Sequence, residues 1–224
     1  MIDHYSYSAA RIFLITCLSA VDGITIPRDY TTSQSNVETA CDSISSLVST
    51  NDDVLVYWGS HGITHDPWIG ATYYTLDCGS NEMKRSELDN ALDDISCNRM
   101  LVMIGACHSG YFIGGGMDDN SNRAILTSCR STELSWYYGG SAGHSYWNYG
   151  LIRALDPDLN ADDADVDPDN NRVSVWEFFD YAYDIVKDAD PFLYDGTNYY
   201  QNPQSWVGSG FGDDQYVYLG DQYY

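Results

Sequence analysis

Two stretches of this chain are apolar at nearly every position: residues 53–58 (Asp-Val-Leu-Val-Tyr-Trp) and residues 99–105 (Arg-Met-Leu-Val-Met-Ile-Gly). A strand with one wet face alternates apolar and polar side chains. An unbroken run of this length marks a strand covered on both faces, as in parallel sheets flanked by helices. The intervening sequence agrees. Residues 12–16 form a shorter apolar run, and 35–49 place Val37, Ala40, Ile44 and Val48 at near-helical spacing. Tyr73 to Leu76 reads as one arm of a hairpin. Ser86 with Asp89 three residues on reads as a helix start, and Leu88, Leu92 and Ile95 share one face as far as Asn98. Residues 124–128 are a further strand. The order β-α-β-α-β-loop-β predicts an α/β domain with a mainly parallel sheet and its chemistry beyond the C-terminal strand ends.

The chain has 224 residues, 44% of them apolar, enough to bury a core as a single domain over 1–224. Its net charge of −23 repels nucleic-acid phosphates and anionic membranes, so nucleic acid is excluded as a partner. The acid is nearly all aspartate, 28 Asp to 5 Glu, against only 2 Lys. Such a surface suits high salt, or a calcium-rich exterior where short carboxylates serve as hard oxygen ligands. The expected location is the exterior or surface of a prokaryotic cell, the alternative being the cytoplasm of a salt-adapted organism. Six scattered cysteines form no CxxC pair and admit one or two disulfides. The longest apolar runs fall far short of the roughly 20 residues that span a bilayer. Residues 11–16 read better as a buried strand than as a secretory core, because Asp3 and no other basic residue precede Arg11.

Two neighbouring strands end in chemistry. The run at 53–58 is followed by Gly59-Ser60-His61-Gly62, and the run at 99–105 by Ala106-Cys107-His108-Ser109-Gly110. A thiol nucleophile needs an imidazole to take its proton, and the acyl oxyanion needs backbone N–H donors. His61 and Cys107 meet the first need. Gly62 and the Cys107 amide meet the second, since glycine lets a backbone approach substrate closely.

An apolar strand with Ser-His-Gly, followed after 46 residues by an apolar strand with Ala-Cys-His-Ser-Gly, resembles the clan CD cysteine peptidases. The similarity is greatest to the legumain-like family C13 and to metacaspase-like proteins. Residues 127–136 (Thr-Ser-Cys-Arg-Ser-Thr-Glu-Leu-Ser-Trp) resemble the segment that lines the P1 pocket there. The segments 201–206 and 215–219 resemble the loop and last strand that close such a domain. The resemblance implies a caspase-like three-layer sandwich, with His61 and Cys107 as catalytic residues, Gly62 in the oxyanion site, and Ser60, Glu133 and Ser135 as substrate contacts. It also implies a peptide or protein substrate and no organic cofactor. Oligomeric state is not legible.

Three positions depart from the pattern. Ser60 stands where legumains carry an acidic residue, and Gly105 where the clan places Glu, Asp or Gln, so a charged P1 contact from position 105 is lost. The fold normally opens with a strand and helix ahead of the run at 12–16, and only ten residues precede Arg11. The sheet is therefore expected to lack that strand and helix, through a late start or a different construction.

His65, four residues after His61, with Asp66 and His108, suggests zinc. That spacing serves zinc on a helix, and Gly62-Ile63-Thr64 is poor helix material. The acidic stretch 163–177 is more telling. Its alternating Asp residues, a turn, Val-Ser-Val and a Glu opening a helix match a loop that wraps Ca²⁺. Asp165, Asp167, Asp169, Asn171 and Glu177 are the expected ligands of a structural calcium ion. The loop is one residue longer than the 12-residue pattern, and Asn170 stands in for its glycine.

The expected function is that of a cysteine endopeptidase acting through a thioester. The rivals are a non-catalytic, calcium-stabilised binding module of the same fold and a cysteine transamidase or ligase.

Overall fold

The computed structural model describes residues 13–15, 20–21, 24–25, 29–137, 145–155, 164–165, 172–214 and 217–218. The strands are β1 (Ala20–Val21), β2 (Ile24–Thr25), β3 (Asp53–Gly59), β4 (Gly62–His65), β5 (Tyr73–Asp77), β6 (Glu82–Lys84), β7 (Arg99–Gly105), β8 (Arg123–Thr127), β9 (Phe192–Tyr194), β10 (Thr197–Tyr199) and β11 (Gln204–Val207). The helices are α1 (Gln34–Leu47), α2 (Arg85–Asp93), α3 (Tyr146–Leu155) and α4 (Val175–Ala189), with a 3-10 turn at Ser109–Phe112.

The central sheet has the order β11-β8-β7-β3. β3, β7 and β8 are parallel, and β11 closes one edge antiparallel to β8. The alternation of side chains along β7 divides the core in two. Met100, Val102 and Ile104 join one cluster with Val37, Leu88, Leu92 and Phe112, while Leu101 and Met103 join another with Trp147, Leu151, Phe178 and Ala182. Helices thus cover both faces, which is why β7 has no polar alternation to read. The caspase-like sandwich expected from the sequence is present. Among the described residues β3 is the other edge of the sheet, and Ile15 of the expected first strand makes only an isolated bridge to Tyr30.

Three expectations need correction. Helix α2 ends at Asp93 and does not run to Asn98, and its start is capped by Glu87, whose Oε2 accepts the Lys84 N–H at 2.8 Å. Asp89 is drawn elsewhere: with Asp93 it neutralises Arg123, a fully buried guanidinium, through contacts of 2.9 and 2.8 Å. Among the described residues the strand that closes this edge of the sheet is Gln204–Val207; of the expected segment 215–219 only Val217 and Tyr218 are described, and Tyr218 forms an antiparallel bridge to Ser174. The five described cysteines, Cys41, Cys78, Cys97, Cys107 and Cys129, are free thiols.

Helix α3 and the β9–β10 hairpin lie outside the expected elements, although both have local signals. Trp147, Gly150, Leu151 and Ala154 share a buried helical face. The hairpin turns through Asp195 (φ 48°) and Gly196 (φ 73°), an Asp-Gly pair suited to a tight two-residue turn. A small antiparallel sheet, β4-β5-β6, stands beside the ends of β3 and β7.

Candidate active site

The register of β3 on β7 places Gly59 opposite Gly105, and the Ser60 N–H continues the ladder to the Gly105 carbonyl at 3.3 Å. His61 and Cys107 each follow two residues later, so the two strands deliver them level with each other at the C-terminal edge. Their backbones meet there. A Cβ on Gly62 would stand 1.7 Å from the Cys107 carbonyl oxygen, a space that admits only hydrogen. The His61 carbonyl accepts the Asp77 N–H at 2.9 Å, tying this loop to β5. The His61 side chain is exposed and Cys107 is half-buried.

The Cys107 sulfur lies against the backbone of Ser135. The Ser135 N–H points at Sγ from 3.4 Å, and the thiol faces the Ser135 carbonyl at 3.8 Å. At Cys41, Cys78 and Cys129 burial pushes the thiols up to about 11, 12 and 11, which keeps them protonated and inert.

The other expected substrate contacts are placed as follows. Ser135 touches the sulfur through its backbone, and its Oγ is buried without a hydrogen-bond partner. The Ser60 hydroxyl accepts the Trp58 indole N–H at 2.8 Å and donates to the His61 carbonyl. The Glu133 carboxylate accepts the backbone and side-chain N–H groups of Asn202 at 2.8 and 2.7 Å, and the Arg130 N–H at 3.1 Å. Ser60 and Glu133 thus each have internal partners that shape the loops around the cysteine.

Further side chains shape the surroundings of the cysteine. Asn148 of α3 and Tyr57 of β3 fill the space above Gly105, their side-chain oxygens 2.6 and 3.3 Å from where a Cβ would stand. An uncharged amide and phenol therefore occupy the room in which the clan pattern would put an acidic or amide side chain. Gln201, fully buried, donates to the Ser128 carbonyl and accepts the Trp136 N–H, both at 2.8 Å. His108, next to the nucleophile, makes bonds to Ser131 and Thr64.

His65 lies on strand β4, where its Nε2 meets Glu82 at 2.6 Å and Thr75 at 3.0 Å, and its ring stacks on Tyr73. That separates it from Cys107 chemistry. In the acidic loop, Asp165 is buried and accepts the Arg172 N–H at 3.0 Å; Glu177 is buried and accepts the Ser174 N–H at 2.8 Å as part of the cap of α4. Asp167, Asp169 and Asn171 lie outside the described residues. Among the described residues no group of three metal-ligating side chains converges, and no helix is long and apolar enough to cross a membrane.

The structure resembles the crystal structure of protein GSU0716 from Geobacter sulfurreducens, with a TM-score of 0.55 and 16% identity over 83% of this chain and 78% of that one. At that identity the likeness concerns the fold. No curated protein matches. The sequence model of the Peptidase C13 family matches residues 27–153, more than half of the chain and a span that includes both His61 and Cys107. With the strand ends, the glycine contact and this match in agreement, the chain belongs to the peptidase C13 family, the legumain-like branch of clan CD.

Proposed function

We propose that this protein is a cysteine endopeptidase with Cys107 as nucleophile and His61 as its acid and base. The reading is carried by the backbone contact of Gly62 with Cys107 at the ends of two parallel strands, which brings imidazole and thiol loops together. Membership of the family supports a peptidase-related hydrolase acting on protein substrates. The Cys107 thiolate attacks the peptide carbonyl carbon, and the carbonyl oxygen becomes an oxyanion beside the Gly62 and Cys107 amides. Collapse breaks the C–N bond, and the departing amine takes a proton from imidazolium His61. Water, deprotonated by His61, then cleaves the thioester and releases the acid.

The test is digestion of a mixed peptide library by the protein and by Cys107→Ala, with cleavage sites read by mass spectrometry. Cleavage lost in the variant supports the reading and reveals the P1 residue. Acyl transfer to an added amine in place of hydrolysis would make the protein a transamidase. No cleavage by either protein would leave a non-catalytic module of this fold.

We further propose that the loop 163–177 takes a structural Ca²⁺ through Asp165, Asp167, Asp169, Asn171 and Glu177, on the strength of their spacing and of the burial of Asp165 and Glu177. The aspartate-rich surface supports an extracellular or salt-adapted setting.

A further inference from the structure

We propose that His108 is a positioning residue of this site: its imidazole braces the turn that carries Cys107 against the strand that follows His61, and so fixes the separation of thiol and imidazole. The inference rests on the reading of Cys107 and His61 as a catalytic pair.

His108 adopts a left-handed backbone, φ 61° and ψ 15°, a conformation uncommon outside glycine and taken most readily by asparagine, aspartate and histidine. Four contacts hold it there. Its N–H donates to the Glu133 carbonyl at 2.8 Å, and its Nδ1 lies 3.0 Å from the Ser131 carbonyl. Nε2 lies 3.2 Å from Thr64 Oγ1, and the ring stacks on Tyr74 at 4.4 Å and 18°. A carbonyl only accepts, so Nδ1 carries the proton and Nε2 of the neutral ring accepts the Thr64 hydroxyl. Burial holds the imidazole below its ordinary titration range, consistent with that neutral form. Both nitrogens are therefore in use, and His108 is not a spare base for its neighbour.

Thr64 is the important partner. It lies two residues beyond Gly62 on β4, so both point to one side of that strand. Gly62 meets the Cys107 carbonyl, and Thr64 meets the ring of the next residue. Two struts thus join the cysteine turn to the strand that continues from His61. Tyr74 pairs with Thr64 across β4 and β5, so the ring rests on the same small sheet. The charged and titratable groups around the brace are Arg85 over the Tyr111 ring, Tyr111 edge-on to Tyr74, the Glu133 carboxylate on Asn202, and the Cys129 thiol at the Ala106 and Glu133 carbonyls.

The experiment measures iodoacetamide alkylation of Cys107 against pH, with the modified cysteine located by mass spectrometry, in the 224-residue chain. Four proteins are compared: wild type, His61→Ala, His108→Asn and Thr64→Val. Asparagine accepts the left-handed backbone and keeps a donor near the Nδ1 position, but has nothing at Nε2. Valine removes only the Thr64 hydroxyl. Both variants are expected to shift the alkylation profile toward that of His61→Ala, slowing the reaction about tenfold at about pH 6, where an unassisted thiol is protonated. Wild-type profiles in both, with a shifted profile in His61→Ala, would overturn the brace and leave the pair standing. Loss in His108→Asn as complete as in His61→Ala, with Thr64→Val unchanged, would also overturn it, because His108 would then itself be the base. An unshifted profile in His61→Ala would remove the pair, and the brace with it.

Discussion

A Cβ on Gly62 would stand 1.7 Å from the carbonyl oxygen of Cys107 and 2.7 Å from its carbonyl carbon. The loop of the histidine and the turn of the cysteine are therefore in backbone contact, at a distance only glycine permits. The in-register pairing of Gly59 with Gly105 brings the two segments to this point.

Gly62→Ala is expected to destabilise the protein by about 1–3 kcal/mol or more, as overpacking against rigid backbone does, and to slow alkylation of Cys107. Gly59→Ala is the control, because the atoms nearest its new Cβ belong to the end of the Tyr57 side chain and not to backbone. Urea midpoints of the two variants should differ, with Gly59→Ala near wild type. Equal midpoints would remove the claim that the contact at Gly62 is special.

Arg123 is fully buried and shared between Asp89 and Asp93, with a further bond to the Met117 carbonyl at 3.1 Å. Arg123→Ala leaves the Asp89 carboxylate without its cation and should cost about 3–5 kcal/mol. Arg123→Met with Asp89→Leu removes charge on both sides and should recover much of that loss. A double variant no more stable than Arg123→Ala would show that packing, not charge, governs this corner.

His108 gives stability a pH dependence of known sign. Its titration in the folded protein lies below the ordinary value of 6.5, because burial disfavours the imidazolium. Above about pH 6.5 the ring is neutral in both states and its contribution is fully present. As pH falls through that value, the unfolded chain takes up a proton that the folded chain refuses, so stability is lost until the folded value is reached. Melting temperatures from about pH 7 to pH 5 should therefore fall more steeply for wild type than for His108→Asn. Glu82, held low chiefly by the Thr75 hydroxyl, acts below its ordinary 4.5 and is common to both proteins. Parallel slopes would show that His108 does not titrate differently on folding.

Gln201→Leu strands the Ser128 carbonyl and the Trp136 N–H, both of which it bonds inside the protein. An expected loss of about 1–3 kcal/mol follows from unmade buried hydrogen bonds. Because Trp136 adjoins Ser135, whose N–H faces the sulfur, alkylation of Cys107 should slow as well. Unchanged alkylation in a destabilised protein would confine Gln201 to a structural role.

Calcium should raise the melting temperature of the wild-type chain and a chelator should lower it, with magnesium far less effective because it demands tighter octahedral geometry. Asp167→Asn with Asp169→Asn should abolish the rise. A calcium response that survives in this variant would place the ion elsewhere.

The elements legible in the sequence were those whose burial is local in character. β7 was readable to the residue, since a strand covered on both faces has no polar position to confuse the pattern. The start of α2 was not, because Glu87 and Asp89 are both plausible caps; only the position of buried Arg123 decides that Asp89 leaves the helix end. The closing strand was misplaced because β11 is short, half-exposed and antiparallel, and gains its identity from pairing with β8. His61 and Cys107 stood out because each follows an apolar strand by two residues. Asn148 gave no signal and Gln201 only its place in the 201–206 loop, since both come to the site from distant segments.

The sequence by itself determined the α/β class, the two strand ends that carry imidazole and thiol, and the acidic balance. These depend on periodicity, on residue type and on charge, all of which are properties of short segments. Tertiary structure decided which polar side chains face the thiol and which are consumed in holding it. Glu133 became a strut, Ser135 offered its backbone, and His108 joined two loops, because hydrogen-bond partners in a packed interior are assigned by proximity in space.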